Sequence, residues 1–123
     1  MCLSKITKIY KEPDPKERIG YKVVDLSADR TSFDFEFCSL RKKPYHKTNV
    51  WLKAETSKNI RIGFDDDVSY KSGFHIFASK KGAEDWDEYE EYDVVKVKYR
   101  GLTTTGFQDN FKTVIAKEIK VLT

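Results

Sequence analysis

Period-two alternation of apolar and charged residues is the feature that most constrains this chain. Residues 33–37 read Phe-Asp-Phe-Glu-Phe, and residues 94–99 place two valines and Tyr99 on one side of a strand and two lysines on the other. Successive side chains of a β-strand point to opposite faces, so this spacing predicts strands with one buried and one solvated side. Weaker runs rich in β-branched and aromatic residues predict further strands at residues 3–10, 20–26, 50–54, 60–64, 74–78 and 112–122.

Turn-forming residues separate these runs, at positions 12–15, 27–30, 65–67, 72–73, 100–101 and 108–110. One helix is predicted after Ser79, a good N-cap, because Ala83 and Trp86 follow at helical spacing in an otherwise acidic segment. The sequence therefore predicts an α+β fold that is mainly β, a curled antiparallel or mixed sheet with one helix packed across it.

Composition limits the class of protein. A chain of 123 residues fits one domain, residues 1–123, and 14% aromatic content favours a packed core over disorder despite 35% charged residues. The net charge of +3 is too small to indicate a nucleic-acid protein. We expect a cytoplasmic protein that does not enter a membrane, because no apolar span or secretion signal is present. Cys2 and Cys38 fit reduced thiols better than a disulfide framework or a structural zinc site. No metal and no cofactor is predicted.

His75 lies in the run Tyr-Lys-Ser-Gly-Phe-His-Ile-Phe at residues 70–77, in which apolar residues point to both faces of a strand. A titratable ring in such a strand has two interpretations. It is a core histidine bonded to a backbone carbonyl or to a tyrosine such as Tyr70 or Tyr99, or it faces a ligand in a pocket. The sequence leaves both open.

A basic segment at residues 41–47 interleaves cations with Tyr45 and His46, and Trp51 and Lys53 follow it. Cations beside exposed aromatic rings hold phosphates while a base stacks, which indicates a nucleotide-type ligand. A solvated loop with a proline turn has the same composition, so that alternative stays open. The predicted ligand-binding residues are Arg41, Lys42, Lys43, Tyr45, His46, Tyr70, His75 and Arg100.

The acidic segment at residues 84–93 contains aromatic side chains among its carboxylates. Aromatic anchors ringed by charge are typical of protein interfaces, although core packing of Trp86 and plain solvation account for the same residues. The predicted partner-binding residues are Trp86, Glu88, Tyr89, Glu91 and Tyr92.

Several short motifs in the second half of the sequence resemble those of known proteins. They are Gly-Phe-His-Ile-Phe at residues 73–77, the helix that follows it, Val-Lys-Val at residues 95–97 and the closing run at residues 116–122. With these motifs, the C-terminal half resembles a loose group of small uncharacterised domains common in phages and bacteria. The resemblance implies a small sheet-rich domain of phage or mobile-element origin. The Gly-Phe-His motif alone is similar to ADP-ribosyltransferase-type folds, in which a histidine on an early strand grips the nicotinamide ribose.

The sequence has no phosphate-binding loop, zinc-protease motif or nucleophile elbow. The leading interpretation is a small intracellular binding protein, phage or mobile-element encoded, that sequesters a nucleotide-type ligand or blocks a host protein as an anti-defence inhibitor. The alternative is an enzyme acting on a nucleotide, ADP-ribosyltransferase-like, that uses His75. The oligomeric state is open, and a homodimer is one option because a sheet edge can pair across a two-fold axis.

Overall fold

The computed structural model describes residues 3–35, 46–54, 59–62, 65–71, 73–87 and 92–123. These ranges are mostly β-strand with one short helix, and every strand pairing in them is antiparallel. The predicted α+β, mainly β class is therefore confirmed. In chain order, the elements are β1 (Lys5–Asp14), β2 (Arg18–Leu26), β3 (Ser32–Phe35), β4 (His46–Lys47), β5 (Trp51–Lys53), β6 (Asn59–Ile62), β7 (Asp65–Lys71), β8 (Phe74–Phe77), α1 (Lys80–Trp86), β9 (Asp93–Gln108) and β10 (Phe111–Val121).

A long hairpin of β9 and β10 organises the main sheet. The hairpin closes through Asp109 and Asn110, and Asp109 adopts a φ of 54°, a conformation that aspartate tolerates better than most residues. This confirms the turn predicted at residues 108–110.

The strands around the hairpin form a closed ring of pairings. β2 pairs with β9, β8 pairs with β10, and Tyr21 opposite Phe77 joins β2 to β8. The curled sheet that the sequence predicts therefore closes on itself through β2, β9, β10 and β8. β3 and β4 extend from β2, β5 pairs with β10, and β6 and β7 form a separate two-stranded sheet.

The turn predicted at residues 12–15 does not reverse the chain, so that prediction was wrong. β1 and β2 run in the same direction along one edge of β9, β1 against its second half and β2 against its first. The register breaks between Ile9 and Asp14, where Pro13 has no N–H to donate to a ladder. The prolines at positions 13 and 15 therefore produce a bulge in a continuing edge.

Two other predicted turns were also wrong. β9 runs through residues 100–101, where Gly101 adopts a φ of 74°, and the register of β9 against β10 shifts after Leu102, since Leu102 pairs with Ala116 and Thr104 with Ile115. Residues 65–67 begin β7, because pairing with β6 outweighs the turn preference of three successive aspartates. β4 and β7 are the two described strands that the sequence pattern did not predict.

The core confirms the alternation read from the sequence. Val95, Val97 and Tyr99 point inward together and belong to one buried cluster with Phe33 and Ile76. That cluster fills the space inside the ring of strands, and it also contains Val24, Leu102, Val114, Ala116, Ile119 and Val121.

Helix α1 covers the outer face of the sheet. Ser79 Oγ accepts a hydrogen bond from Gly82 N at 3.0 Å, which confirms the predicted N-cap. Ala83 and Trp86 of the helix pack in one cluster with Val23 and Phe77. No helix in the described ranges is both long enough and apolar enough to cross a bilayer.

Candidate functional site

Three strands place a row of alternating charges on one face of the sheet. Glu118 of β10 lies directly opposite Lys53 of β5 and directly opposite Arg100 of β9. Residues opposite each other in antiparallel strands project to the same face, with Cβ atoms about 5 Å apart. The charges across the sheet are therefore positive, negative and positive. We call Lys53, Glu118 and Arg100 the charged row.

Arg100 is held from three directions. Its Nε donates to Glu118 Oε2 at 2.8 Å, and its Nη2 makes a longer hydrogen bond of 3.4 Å to Oε1. Its Nη1 lies 3.9 Å from Glu17 Oε1, and its guanidinium carbon lies 3.9 Å from the centre of the Trp51 ring. The hydrogen bond to Glu118 raises the pKa of Arg100, and the same bond lowers the pKa of Glu118. Both groups are therefore charged at neutral pH, and the guanidinium has a fixed orientation.

A cleft with a volume of about 670 Å³ is lined by the charged row. That volume falls within the range of small-molecule sites in proteins. Its lining contains three cations and a single carboxylate, so the cleft favours an anionic ligand. The lining residues are Pro13, Pro15, Lys53, Ala54, Arg100, Gly101, Lys117 and Glu118.

Gly101 shapes the floor of this cleft. Its φ of 74° strains any residue with a Cβ, and a Cβ added there would lie 3.1 Å from the Cβ of Lys117. Lys117 itself is exposed, as is Lys53. The absence of a Cβ at Gly101 therefore lets β9 pass close to Lys117.

Sequence reasoning singled out Arg100 but missed Lys117 and Glu118. A signal was present, because these two successive polar residues interrupt the apolar alternation of the last strand. Val114 and Ala116 before them and Ile119 after them all point into the same core, which requires a change of phase in between. The pairing of β10 with β9 keeps one register from Ala116 to Ile119, and the register shift of this strand pair lies before it, between Ile115 and Ala116.

Tyr70 and His75, two predicted ligand residues, come together away from the charged row. Tyr70 Oη lies 2.9 Å from His75 Nε2 and accepts a hydrogen bond from Leu3 N at 3.0 Å. Burial lowers the pKa of His75 to about 3, and the charge of Lys22, whose Nζ donates to the His75 carbonyl at 2.8 Å, adds to the effect. The imidazole is therefore neutral at physiological pH, and Tyr70 links it to the backbone of Leu3. A ligand role for this pair stays a prediction.

His46 packs against aromatic side chains at the β3 edge of the sheet. Its ring centre lies 5.0 Å from that of Phe35 and 5.6 Å from that of Phe33. Lys22 Nζ, which donates to the His75 carbonyl, lies 5.3 Å from the centre of the Phe35 ring. The other predicted residues of the basic segment, Arg41, Lys42, Lys43 and Tyr45, lie outside the described residues.

The predicted partner-binding face is described in part. Trp86 packs its ring 5.7 Å from that of Phe77, between the helix and the sheet. Tyr92 is 37% exposed, and its backbone N–H donates to Asp87 Oδ2 at 3.1 Å. Glu88, Tyr89 and Glu91 lie outside the described residues, and docking of a partner on this face stays a prediction.

Within the described ranges, no three His, Cys, Asp or Glu side chains converge as metal ligands would. No protein-family model, curated protein or solved structure matches the chain. Function is therefore inferred from the geometry and charge of the site itself.

Proposed function

We propose that the protein is a small binding protein that takes a nucleotide-type ligand in the cleft over the charged row. The observation that carries this proposal is the Arg100 guanidinium, which Trp51 and Glu118 hold in a fixed orientation and which lines the cleft together with Lys53 and Lys117. Together these side chains offer charge for phosphate groups and a planar surface for a base.

Phosphate groups fit the cation-rich part of the cleft. Lys53 and Lys117 are exposed and carry flexible point charges, which suit phosphate oxygens. Arg100 shares its charge with Glu118 and Glu17, so in this proposal its main task is to present an ordered plane. Bases stack on guanidinium planes as well as on aromatic rings. Because Arg100 is ordered before binding, little conformational entropy is lost when a base stacks on it.

Sequestration is the mode of action that we propose. A cytoplasmic protein of this kind, phage or mobile-element encoded, would inhibit a nucleotide-dependent process by withholding the ligand. The enzyme alternative relies on His75, whose Nε2 already meets Tyr70 Oη at 2.9 Å and whose pKa of about 3 makes it a weak base. Sequestration therefore has the stronger support.

Recovery of a bound molecule tests the proposal directly. The purified protein is incubated with a panel of nucleotides, separated from free ligand by gel filtration and denatured, and the released molecules are analysed by mass spectrometry. Intact nucleotide supports sequestration. A converted nucleotide supports the enzyme alternative, and release of no nucleotide overturns the proposal and favours the protein-partner version.

Charge reversal locates the site. Lys53→Glu with Lys117→Glu is expected to weaken nucleotide binding by at least about tenfold, because each lost charge-assisted hydrogen bond contributes about 1.5 kcal/mol or more. Lys112→Glu is the matched control, since Lys112 is an exposed lysine of the same strand opposite Phe107, away from the cleft. A Lys42→Glu, Lys43→Glu protein tests the basic segment. If this protein loses nucleotide binding and the Lys53→Glu, Lys117→Glu protein does not, the binding site lies in the basic segment.

A further inference from the structure

Glu118 is an unusual residue to find inside a cleft that binds an anion. Its side chain lines the cleft and is 21% exposed. Its lowered pKa keeps the carboxylate ionised, so it accepts hydrogen bonds and donates none. A phosphate placed directly over this carboxylate would be repelled. The ligand must instead bring a hydrogen-bond donor to Glu118 and its anion to the neighbouring cations.

The carboxylate has capacity for such a donor. Oε2 accepts the short 2.8 Å bond from Arg100 Nε, whereas Oε1 is met by the longer 3.4 Å bond from Nη2. Each carboxylate oxygen offers about two acceptor positions, so Oε1 can accept from a ligand while Arg100 stays bound. Arg100 also fixes the direction in which the free lone pairs point.

The spacing of the row defines how far apart the ligand's donor and anion lie. Lys53 is directly opposite Glu118 on the next strand, and neighbouring strands are about 4.8 Å apart. Lys117 is a second exposed lysine that lines the same cleft. The donor and the anion of the ligand are therefore separated by about one strand spacing, as the diol and the phosphate of a ribose 5-phosphate unit are.

From these contacts we infer that the ligand carries a vicinal diol beside its phosphate, with Glu118 accepting from the diol and Lys53 and Lys117 holding the phosphate. An ionised carboxylate that accepts from ribose hydroxyls is a common way to recognise a nucleotide sugar. This inference rests on the proposed function and narrows it to ribose phosphates, whether they come as ribonucleotides or as free sugar phosphates.

Titration calorimetry with matched ligands tests the inference. The probes are the four ribonucleoside 5′-monophosphates, their 2′,3′-dideoxy counterparts and ribose 5-phosphate. We expect each dideoxy compound to bind at least about tenfold more weakly than its parent, because the hydrogen bond from the diol to the charged Glu118 is lost. Ribose 5-phosphate binding as tightly as the nucleotides supports the diol and identifies a sugar phosphate as the source.

The outcomes separate the inference from the proposed function. Equal binding of parent and dideoxy compounds overturns the diol while nucleotide binding stands. Absence of binding by every probe overturns both.

Two variants check the role of Glu118. In Glu118→Gln the preference for the diol is expected to fall to less than about threefold, with tighter binding of the dideoxy compounds because the repulsion is removed. Glu84→Gln, an exposed glutamate on α1, is the control and is expected to keep the full preference. Circular dichroism and melting temperature verify that both variants are folded. A folded Glu118→Gln protein with an undiminished preference would overturn the inference.

Discussion

The guanidinium of Arg100 stacks on the ring of Trp51 at 3.9 Å, and the two residues belong to strands that do not pair with each other. β10 lies between them and supplies Glu118, which fixes the plane of the guanidinium through its Nε. Side chains from two strands, β5 and β10, thus determine the orientation of a cation on a third strand, β9. This relationship makes Arg100 part of the structure as well as part of the candidate site.

Replacing Arg100 by lysine separates charge from shape. The variant Arg100→Lys keeps the positive charge but loses the planar fork toward Glu118 and the stack on Trp51. We expect a small fall in the free energy of unfolding in urea, because the cation–π contact and the fork geometry of a partly exposed ion pair are lost while the charge stays. Lys96→Arg, at an exposed position of the same strand, is the control. Equal stability of Arg100→Lys and the unaltered protein would show that the stack contributes no stability.

The pH dependence of stability reports on His75. Its pKa is about 3 in the folded protein against an ordinary value of 6.5, so the unfolded chain binds more protons between these values. Stability from the neutral ring is complete above pH 6.5 and is lost as the pH falls toward 3, with a slope of up to about 1.4 kcal/mol per pH unit. Urea unfolding at a series of pH values should show this slope.

The variant His75→Gln isolates that contribution. Its unfolding free energy should change much less between pH 6.5 and 4.5. That window is chosen because carboxylates with lowered pKa values, such as Asp14 and Glu118, contribute stability that is lost at lower pH. Parallel stability curves for the two proteins would contradict the burial of a neutral histidine beside Tyr70.

Gly101 should resist substitution because of its backbone. Its φ of 74° disfavours any residue with a Cβ, and the added atom would approach Lys117 Cβ at 3.1 Å. Gly101→Ala is expected to lower the free energy of unfolding by about 1–2 kcal/mol, whereas Gly101→Asn should lower it less because asparagine tolerates positive φ. Thermal unfolding followed by circular dichroism compares the two. A harmless alanine would mean that the backbone at this position is extended.

The helix cap offers a test of how α1 is anchored. Ser79→Ala removes the hydroxyl that accepts from Gly82 N at 3.0 Å and should cost about 1 kcal/mol of stability. Ser79→Asp retains an acceptor and should restore most of that loss. Near-ultraviolet circular dichroism would also report on the packing of Trp86 against Phe77. If the alanine and aspartate variants are equally stable, the cap is not a source of stability.

Much of the sheet could be predicted because local alternation is visible over short stretches. Residues 94–99 show which side is buried, and Ser79 marks the helix start. The closed ring could not be predicted, since it depends on the opposition of Tyr21 and Phe77, which lie far apart in the chain. Local turn preferences misled at residues 12–15 and 100–101, because pairing with β9 and β10 overrides them.

Some residues of the candidate site could be predicted from the sequence, but their arrangement could not. Arg100 was predicted as a ligand residue, and Lys53 and Trp51 were noted beside the basic segment. Their meeting with Glu118 depends on the register of β10 against two different strands. A single sequence does not encode that register in any local pattern, so the cleft required the three-dimensional structure.

The position of the β9–β10 hairpin has a consequence for how the protein is made. β1 pairs with β9, its one partner among the described strands, and the ring closes through both strands of a hairpin that spans Asp93 to Val121. A ribosome synthesises these two strands after the other described strands. During translation, β1 and the edges of β2 and β8 that pair with this hairpin therefore stay unpaired until the hairpin is synthesised. Completion of the fold is therefore expected only once this hairpin has left the exit tunnel, at the modest rate typical of sheets built from distant segments.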